Sequence, residues 1–447
     1  MAREEQKKEL NWPVLIFSHI NSPRLNYIVD FFAGYFKTNI KITTSVEEFS
    51  NHKQIRINYS ESEIVENEIW IKPAELLQKQ GISNINVDCF LHSHNFKALF
   101  KTAGTLQFDI FAGIFYLLSR YEEYLPYQKD KYGRYAHQNS IAFNEGFLHQ
   151  PLINNWLEYF RRELKNQFPN AVLEVQKFQF IPTYDIDIAW SYKNKGILRN
   201  AGGFAKSLIQ QDWKGAKERI NVLFNKRKDP FDSYEWLNEV HKEFSLKPIY
   251  FFHVGRKRNG YDKNISIKNA RFKKLITENA SMYDIGIHPS WHSGDDHSCF
   301  IKEKNYLAGL VKKNIQLSRQ HYIRFLFPHT FRNLVAAGIT DDYSMGYGTI
   351  NGFRASITTS FYWYDLEKEE KTQLLMHPFC FMEANSFYEQ KYNTDQTLEE
   401  LITLYKAVKD VNGNLITVWH NQFLGTDDLY KGWREVYFKF LQKVCKH

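Results

Sequence analysis

From about Asn170 onward, short apolar runs alternate with amphipathic stretches, and this alternation constrains the fold more than any other feature. The strand-like runs are Phe178–Thr183, Pro248–Phe252, Ile285–Ile287, Leu374–Met376 and Leu415–Trp419. Between them lie helical periodicities at Ser233–Phe244, Asn305–Gln320 and Thr397–Asp410. Strand, helix, strand in repetition predicts a parallel sheet with crossover helices, open or closed into a barrel. In such folds chemistry gathers at the C-terminal ends of strands. The polar residues that follow each apolar run are therefore the ones to examine.

The preceding 170 or so residues read as a separate unit. Trp12–Ser18 and Gln54–Tyr59 look like strands, Phe108–Tyr124 like a buried helix, and Pro151–Phe168 like an amphipathic one with an N-terminal proline. The expected division is 1–174 and 175–447, with the boundary between Asn170 and Phe178.

Composition narrows the class. Apolar residues make up 43% and charged residues 24% of 447, enough for a sizeable core, which excludes a disordered chain. Aromatic residues reach 16%, a surplus that serves core packing or sugar and base sites equally well. The 58 basic and 50 acidic residues leave +8, spread along the chain with small clusters at Lys226–Lys228 and Arg256–Arg258. A concentrated nucleic-acid footprint is not visible. The four cysteines, Cys89, Cys299, Cys380 and Cys445, form no Cys-x-x-Cys pair, against a disulfide framework or a cysteine zinc site. No long apolar stretch and no export signal is seen, so a cytoplasmic protein without a membrane span is expected.

Three strand ends carry candidate chemistry. Tyr184-Asp185-Ile186-Asp187 follows the first run; in extended chain, residues two apart share a face, so both carboxylates can enter one site. Helix capping or a turn is the competing reading. His288-Pro289-Ser290-Trp291-His292 follows the third run, and histidines four apart on a helical turn suit two ligands of one metal. Two unrelated surface histidines would read the same way. His420 ends the last run, placed as a proton donor or as a satisfied core histidine.

In combination and order these motifs resemble the polysaccharide deacetylases, the NodB-homology domain of carbohydrate esterase family four, over residues 175–440. The resemblance implies a distorted (β/α) barrel and a metal-dependent hydrolase that removes N-acetyl or O-acetyl groups from a carbohydrate. It implies Asp185 as base, and Asp187, His288 and His292 as metal ligands. Arg319, in Arg319-Gln320-His321, would orient the base and His420 would be the acid. Zinc is the expected cation, with cobalt, nickel, manganese or iron as alternatives. His321 stands where that family's third motif carries proline, and Arg324 and Arg354 compete for the arginine role. Trp291, Arg354 and Tyr184 are candidate substrate contacts.

The first part of the chain resembles the uncharacterised domain that precedes some bacterial deacetylase-like domains, through Ser119-Arg120-Tyr121-Glu122-Glu123 and Asp130-Lys131-Tyr132-Gly133-Arg134. The expected partner is an N-acetylated carbohydrate, with no nucleic acid, in surface-polysaccharide or glycan metabolism. An inactive carbohydrate-binding protein and a nucleic-acid-binding protein are the alternative functions.

Overall fold

The computed structural model describes residues 13–174, 176–256 and 259–445. Trp12, Lys257 and Arg258 lie outside the described residues. The chain forms two compact units. The first comprises residues up to Pro126, Pro151–Lys177 and Phe361–Thr372; the second comprises Tyr127–Gln150, Phe178–Ser360 and Gln373 onward. The division is thus not one cut near residue 174. Residues 127–150 leave the first stretch to join the second unit, and 361–372 do the reverse.

In the first unit, strands β1 (Val14–Ser18), β2 (Ile40–Thr43), β3 (Ile55–Tyr59) and β4 (Ile69–Ile71) form a parallel sheet in the order β2-β1-β3-β4. Every residue of β1 is buried. Helix α1 (Pro23–Phe36) starts at Ser22, whose hydroxyl accepts from Leu25 N, with proline in its first turn. Helix α2 (Ile110–Leu118) is apolar all round and wholly buried. It ends before Tyr124, because Arg120 takes a left-handed conformation at φ 53° and a short 3₁₀ turn follows. Helix α3 (Leu152–Gln167) buries Trp156, Leu157, Phe160 and Leu164 on one face.

The second unit is built on a parallel sheet. Its strands are β5 (Gln179–Ile186), β6 (Ile249–His253), β7 (Asp284–His288), β8 (Leu317–Ser318), β9 (Asp341–Asp342), β10 (Glu370–Met376, of which Gln373–Met376 belong to this unit), β11 (Phe381–Met382) and β12 (Asn414–His420). They run in the order β10-β9-β8-β7-β6-β5-β12-β11, every neighbour parallel. Barrel closure is not among these pairings. The crossovers include α4 (Ile197–Ile209), α5 (Trp213–Leu223), α6 (Tyr234–Glu243), α7 (Ala270–Met282) and α8 (His297–Val311). Helices α9 (Thr394–Asp410) and α10 (Trp433–Cys445) flank β12 in sequence. Helix α8 begins and ends earlier than the periodicity at 305–320 suggested. Asp296 caps it by accepting from Cys299 N, Lys312 stops it at φ 56°, and Leu317–Ser318 is already strand.

β5 is central, between β6 and β12. A proline in a central strand needs an explanation, since it cannot donate to the ladder. Pro182 pairs in register with Thr417 of β12, whereas β6 joins only from Thr183 onward. The proline therefore sits on a stretch with one strand neighbour.

Candidate active site

The strand ends of the second unit deliver the reactive groups. His420 and Asp185 are register partners on β12 and β5, and His253 pairs with His288 across β6 and β7. Asp185, Asp187, His288, His321 and His420 all line one cavity of about 600 Å³. Strand alternation explains why Tyr184 does not join them. Its ring faces the opposite side of the sheet, fully buried, with its hydroxyl 2.8 Å from His241 Nε2 and 2.5 Å from Tyr437. Tyr184 is therefore a core residue and not a substrate contact.

Asp185 is gripped by Arg319, whose Nη1 donates to Oδ1 at 2.8 Å. The guanidinium is itself fixed, donating also to the Thr183 hydroxyl and to the Tyr343 carbonyl, and it lies over the Phe251 ring. Neither Arg324 nor Arg354 shares this place. Arg324 pairs with Asp295 and lies over Trp291. Arg354 is buried, donates to the Gly346 carbonyl and packs on Phe325, so it is a packing element and not a substrate contact.

Asp187, His288 and His321 present ligand atoms within 4.8 Å of one another. His288 Nε2 lies 3.1 Å from Asp187 Oδ1, and His321 Nε2 lies 3.4 Å from Oδ2. Yet Asp187 Oδ1 is buried without a hydrogen-bond partner: it and the imidazole share a target without facing each other. The far nitrogens are occupied. His288 Nδ1 meets the Arg319 carbonyl at 2.7 Å, and His321 Nδ1 meets Asp262 Oδ1 at 3.2 Å. A proton on each Nδ1 leaves both Nε2 lone pairs aimed at the common point, the arrangement of histidine ligands held by outer partners. Two imidazoles and a carboxylate fit a borderline divalent cation.

His292 is not in this group. The chain leaves β7 at His288 and enters a 3₁₀ turn only at Trp291–Gly294, so the two histidines never share one helical face. Glu303 fixes the turn by accepting from Ser290 N and the Ser293 hydroxyl, and His292 is left exposed. The third residue of the cluster is His321, two residues beyond Arg319. Trp291 stacks on Tyr261 with centroids 3.8 Å apart, and it is Tyr261 that lines the cavity.

Across from the cluster, His420 Nε2 is 3.5 Å from Asp187 Oδ2, while Nδ1 and the backbone N of His420 both contact Glu383 Oε1 at 2.7 Å. Burial alone would lower the His420 pKa, but the Glu383 and Asp187 carboxylates raise it well above the usual histidine range. Burial likewise opposes ionisation of Asp187, yet His321 and His288 hold it well below the carboxylate range. His321, despite burial, is pushed up to about 9 by Asp187 and Asp262. His253, beside Asp262, is pushed down to about 3, chiefly by burial, and stays neutral. Glu383 and Asp262 have no motif in the sequence; each is visible only through the imidazole it holds.

One further group arrives from a distant part of the sequence. Asp130 Oδ1 accepts from the backbone N of Tyr132 and of Arg134, and Oδ2 accepts from Arg134 Nε at 2.6 Å, folding a tight hairpin. Arg134 then donates to the Tyr322 and Gly348 carbonyls. Lys131, Tyr132 and Arg134 thereby line the same cavity, with Lys263, Lys391 and the tyrosines Tyr261, Tyr322, Tyr388 and Tyr430.

Residues 14–169 match DUF7033, a family of unknown function. That stretch includes the Asp130–Arg134 hairpin. A search of curated protein sequences finds no match. Among solved structures the chain is similar to a probable polysaccharide deacetylase of Pseudomonas aeruginosa PAO1, at 10% identity and TM-score 0.39, over 60% of this chain and 85% of that one. It is similar to a polysaccharide deacetylase of Bacillus cereus at 12% identity and TM-score 0.31, over 60% and 88%. It is also similar to a 4-alpha-glucanotransferase of Thermococcus litoralis at 12% identity and TM-score 0.34, over 61% and 38%.

Proposed function

We propose that the second unit is a metal-dependent carbohydrate deacetylase acting on an N-acetylated, or O-acetylated, sugar. The observation that carries this reading is the opposition of a carboxylate and an imidazole across one cluster of three candidate ligands. Asp185 is held by Arg319 on one side, and His420, held by Glu383, stands on the other. The cavity's tyrosines offer flat faces to sugar rings.

A divalent cation held by Asp187, His288 and His321 would polarise the acetyl carbonyl and acidify the attacking water. Asp185 Oδ2 accepts the proton of that water as its oxygen bonds to the carbonyl carbon. Arg319 occupies Oδ1 and fixes the carboxylate's direction. The carbon–nitrogen bond then breaks while His420 Nε2–H gives its proton to the leaving nitrogen, releasing acetate and a free amine. Glu383, accepting from Nδ1–H, favours the imidazolium form, whose Nε2–H is the proton given up. Zinc is the first cation to test, and cobalt, nickel, manganese and iron suit the same donors.

The test is acetate release from a panel of N-acetylated sugars by metal-loaded protein and by Asp185→Asn. The account expects release by the former and loss in the latter with metal retained. A metal-replete wild-type protein that binds such sugars but releases no acetate would instead support the carbohydrate-binding reading.

A further inference from the structure

Directly after β5, the strand carrying Asp185 and Asp187, the second unit extends the hairpin α4–α5. Its surface is unlike the rest of the molecule. Ile197 is 88% exposed, Leu198 90%, Ile209 82%, Trp213 67% and Phe224 73%. These are large apolar groups facing water on two consecutive helices. The same stretch is strongly basic: residues 191–228 hold ten lysines and arginines against only Asp212 and Glu218. The whole chain carries 58 basic and 50 acidic groups, so this one segment has a net charge equal to that of the entire protein. The remainder is balanced.

We infer that the α4–α5 hairpin docks on an anionic phospholipid surface, with its apolar side chains in the headgroup–acyl boundary and its cations against lipid phosphates. Exposed Ile, Leu, Trp and Phe interleaved with Lys and Arg is the pattern of an in-plane interfacial helix. Helices of 13 and 11 residues are too short to cross a bilayer, and no helix among the described residues is long and apolar enough to do so. Charge complementarity selects the occupant. A second copy of the chain would bring two basic faces together, whereas an acidic lipid leaflet neutralises them. The hairpin is also tied to the catalytic mouth. Arg199 of α4 donates to the Lys263 and Asn264 carbonyls, and Lys263 lines the active-site cavity. Docking would bring the cavity close to glycans held at the lipid surface. The inference does not depend on the reaction assigned above.

The test is flotation of the full chain with vesicles of phosphatidylcholine alone and of phosphatidylcholine containing phosphatidylglycerol. Binding should be at least about tenfold stronger to the anionic vesicles and should fall at high salt. The double variant Trp213→Ser/Phe224→Ser and the triple variant Lys226→Glu/Arg227→Glu/Lys228→Glu should each lose it, with unchanged thermal unfolding. A readout that needs no variant is tryptic cleavage at Lys226–Lys228, which anionic vesicles should slow in the native protein. Failure of the native protein to float, or equal binding to both vesicle types, overturns the inference. So does a concentration-dependent dimer that Trp213→Ser/Phe224→Ser dissolves, which would assign the face to self-association.

Discussion

Both units bury charge, but they finish it differently. In the first unit, Arg24 is 1% exposed and donates to the Leu76 and Gly81 carbonyls and to both oxygens of Glu369. Glu369 in turn accepts from Gly81 N and the Tyr364 hydroxyl. Arg120 likewise bridges Glu122 and Glu123 at 2.8 Å each. Such clusters are closed in the sense that each buried guanidinium is met directly by carboxylate oxygens. In the second unit, Asp187 Oδ1, Glu383 Oε2 and Arg319 Nη2 are buried without hydrogen-bond partners, and the groups around them face a cavity. An unfinished ionic cluster costs stability, and the chain tolerates it where a ligand completes the set. These second-unit atoms border the candidate site.

The contrast can be broken most forcefully at Asp185. Asp185→Asn should lower acetate release by a factor of about 10²–10⁴ or more while unfolding and metal content stay near wild type, because the amide keeps the shape and cannot take the proton. A stability loss matching that of a closed cluster would erase the distinction. The reciprocal experiment is Arg120→Met, which removes the guanidinium that bridges two buried carboxylates. It should cost roughly 3–5 kcal/mol in denaturant unfolding, with turnover per folded molecule unchanged.

His420→Ala sharpens the assignment within the open site. An amide nitrogen needs a proton to leave, whereas the alkoxide of an activated ester leaves without one. The variant should therefore lose about 10²–10⁴ on the N-acetyl substrate and clearly less on the ester. Equal losses, or loss of metal, would remove His420 from the proton-donor role.

The smallest effect concerns pH. Burial pushes Asp109 of the first unit up to about 6, only partly offset by the hydrogen bonds it accepts from Ala112, Ala74 and Tyr59. Below pH 3.8 the group is protonated in both states and its contribution is complete. As pH rises toward 6 the unfolded chain loses the proton first, so stability falls, by roughly 3 kcal/mol in all. Urea midpoints between pH 4 and 6 should show this slope, and Asp109→Asn should flatten it.

How much of this the sequence carried varies by element. The parallel β/α architecture was legible because β5, β6, β7 and β12 carry apolar runs, whereas Leu317–Ser318 and Asp341–Asp342 do not; the strand ends identified Asp185, Asp187, His288 and His420, and the resembled motif Arg319, as residues the structure brings together. His292 misled because a spacing of four implies one helical face only if the helix is continuous, and here strand, proline and 3₁₀ turn intervene. His321 stood in plain view as a departure from the resembled motif, but its place in the cluster depends on Asp262, which meets its Nδ1 at 3.2 Å. Glu383 was invisible, and the Asp130–Arg134 stretch was legible as a motif but not as part of this cavity, since each acts across more than 35 residues of sequence. Whether the sheet closes was not legible either, because alternation does not fix closure.

The central claim is that the metal triad is Asp187, His288 and His321. Metal content per chain, measured on native protein, His321→Ala and His292→Ala after identical loading and dialysis, tests it directly. The account predicts one tightly held divalent cation in the native protein and in His292→Ala, and its loss in His321→Ala. Retention by His321→Ala together with loss in His292→Ala would contradict it.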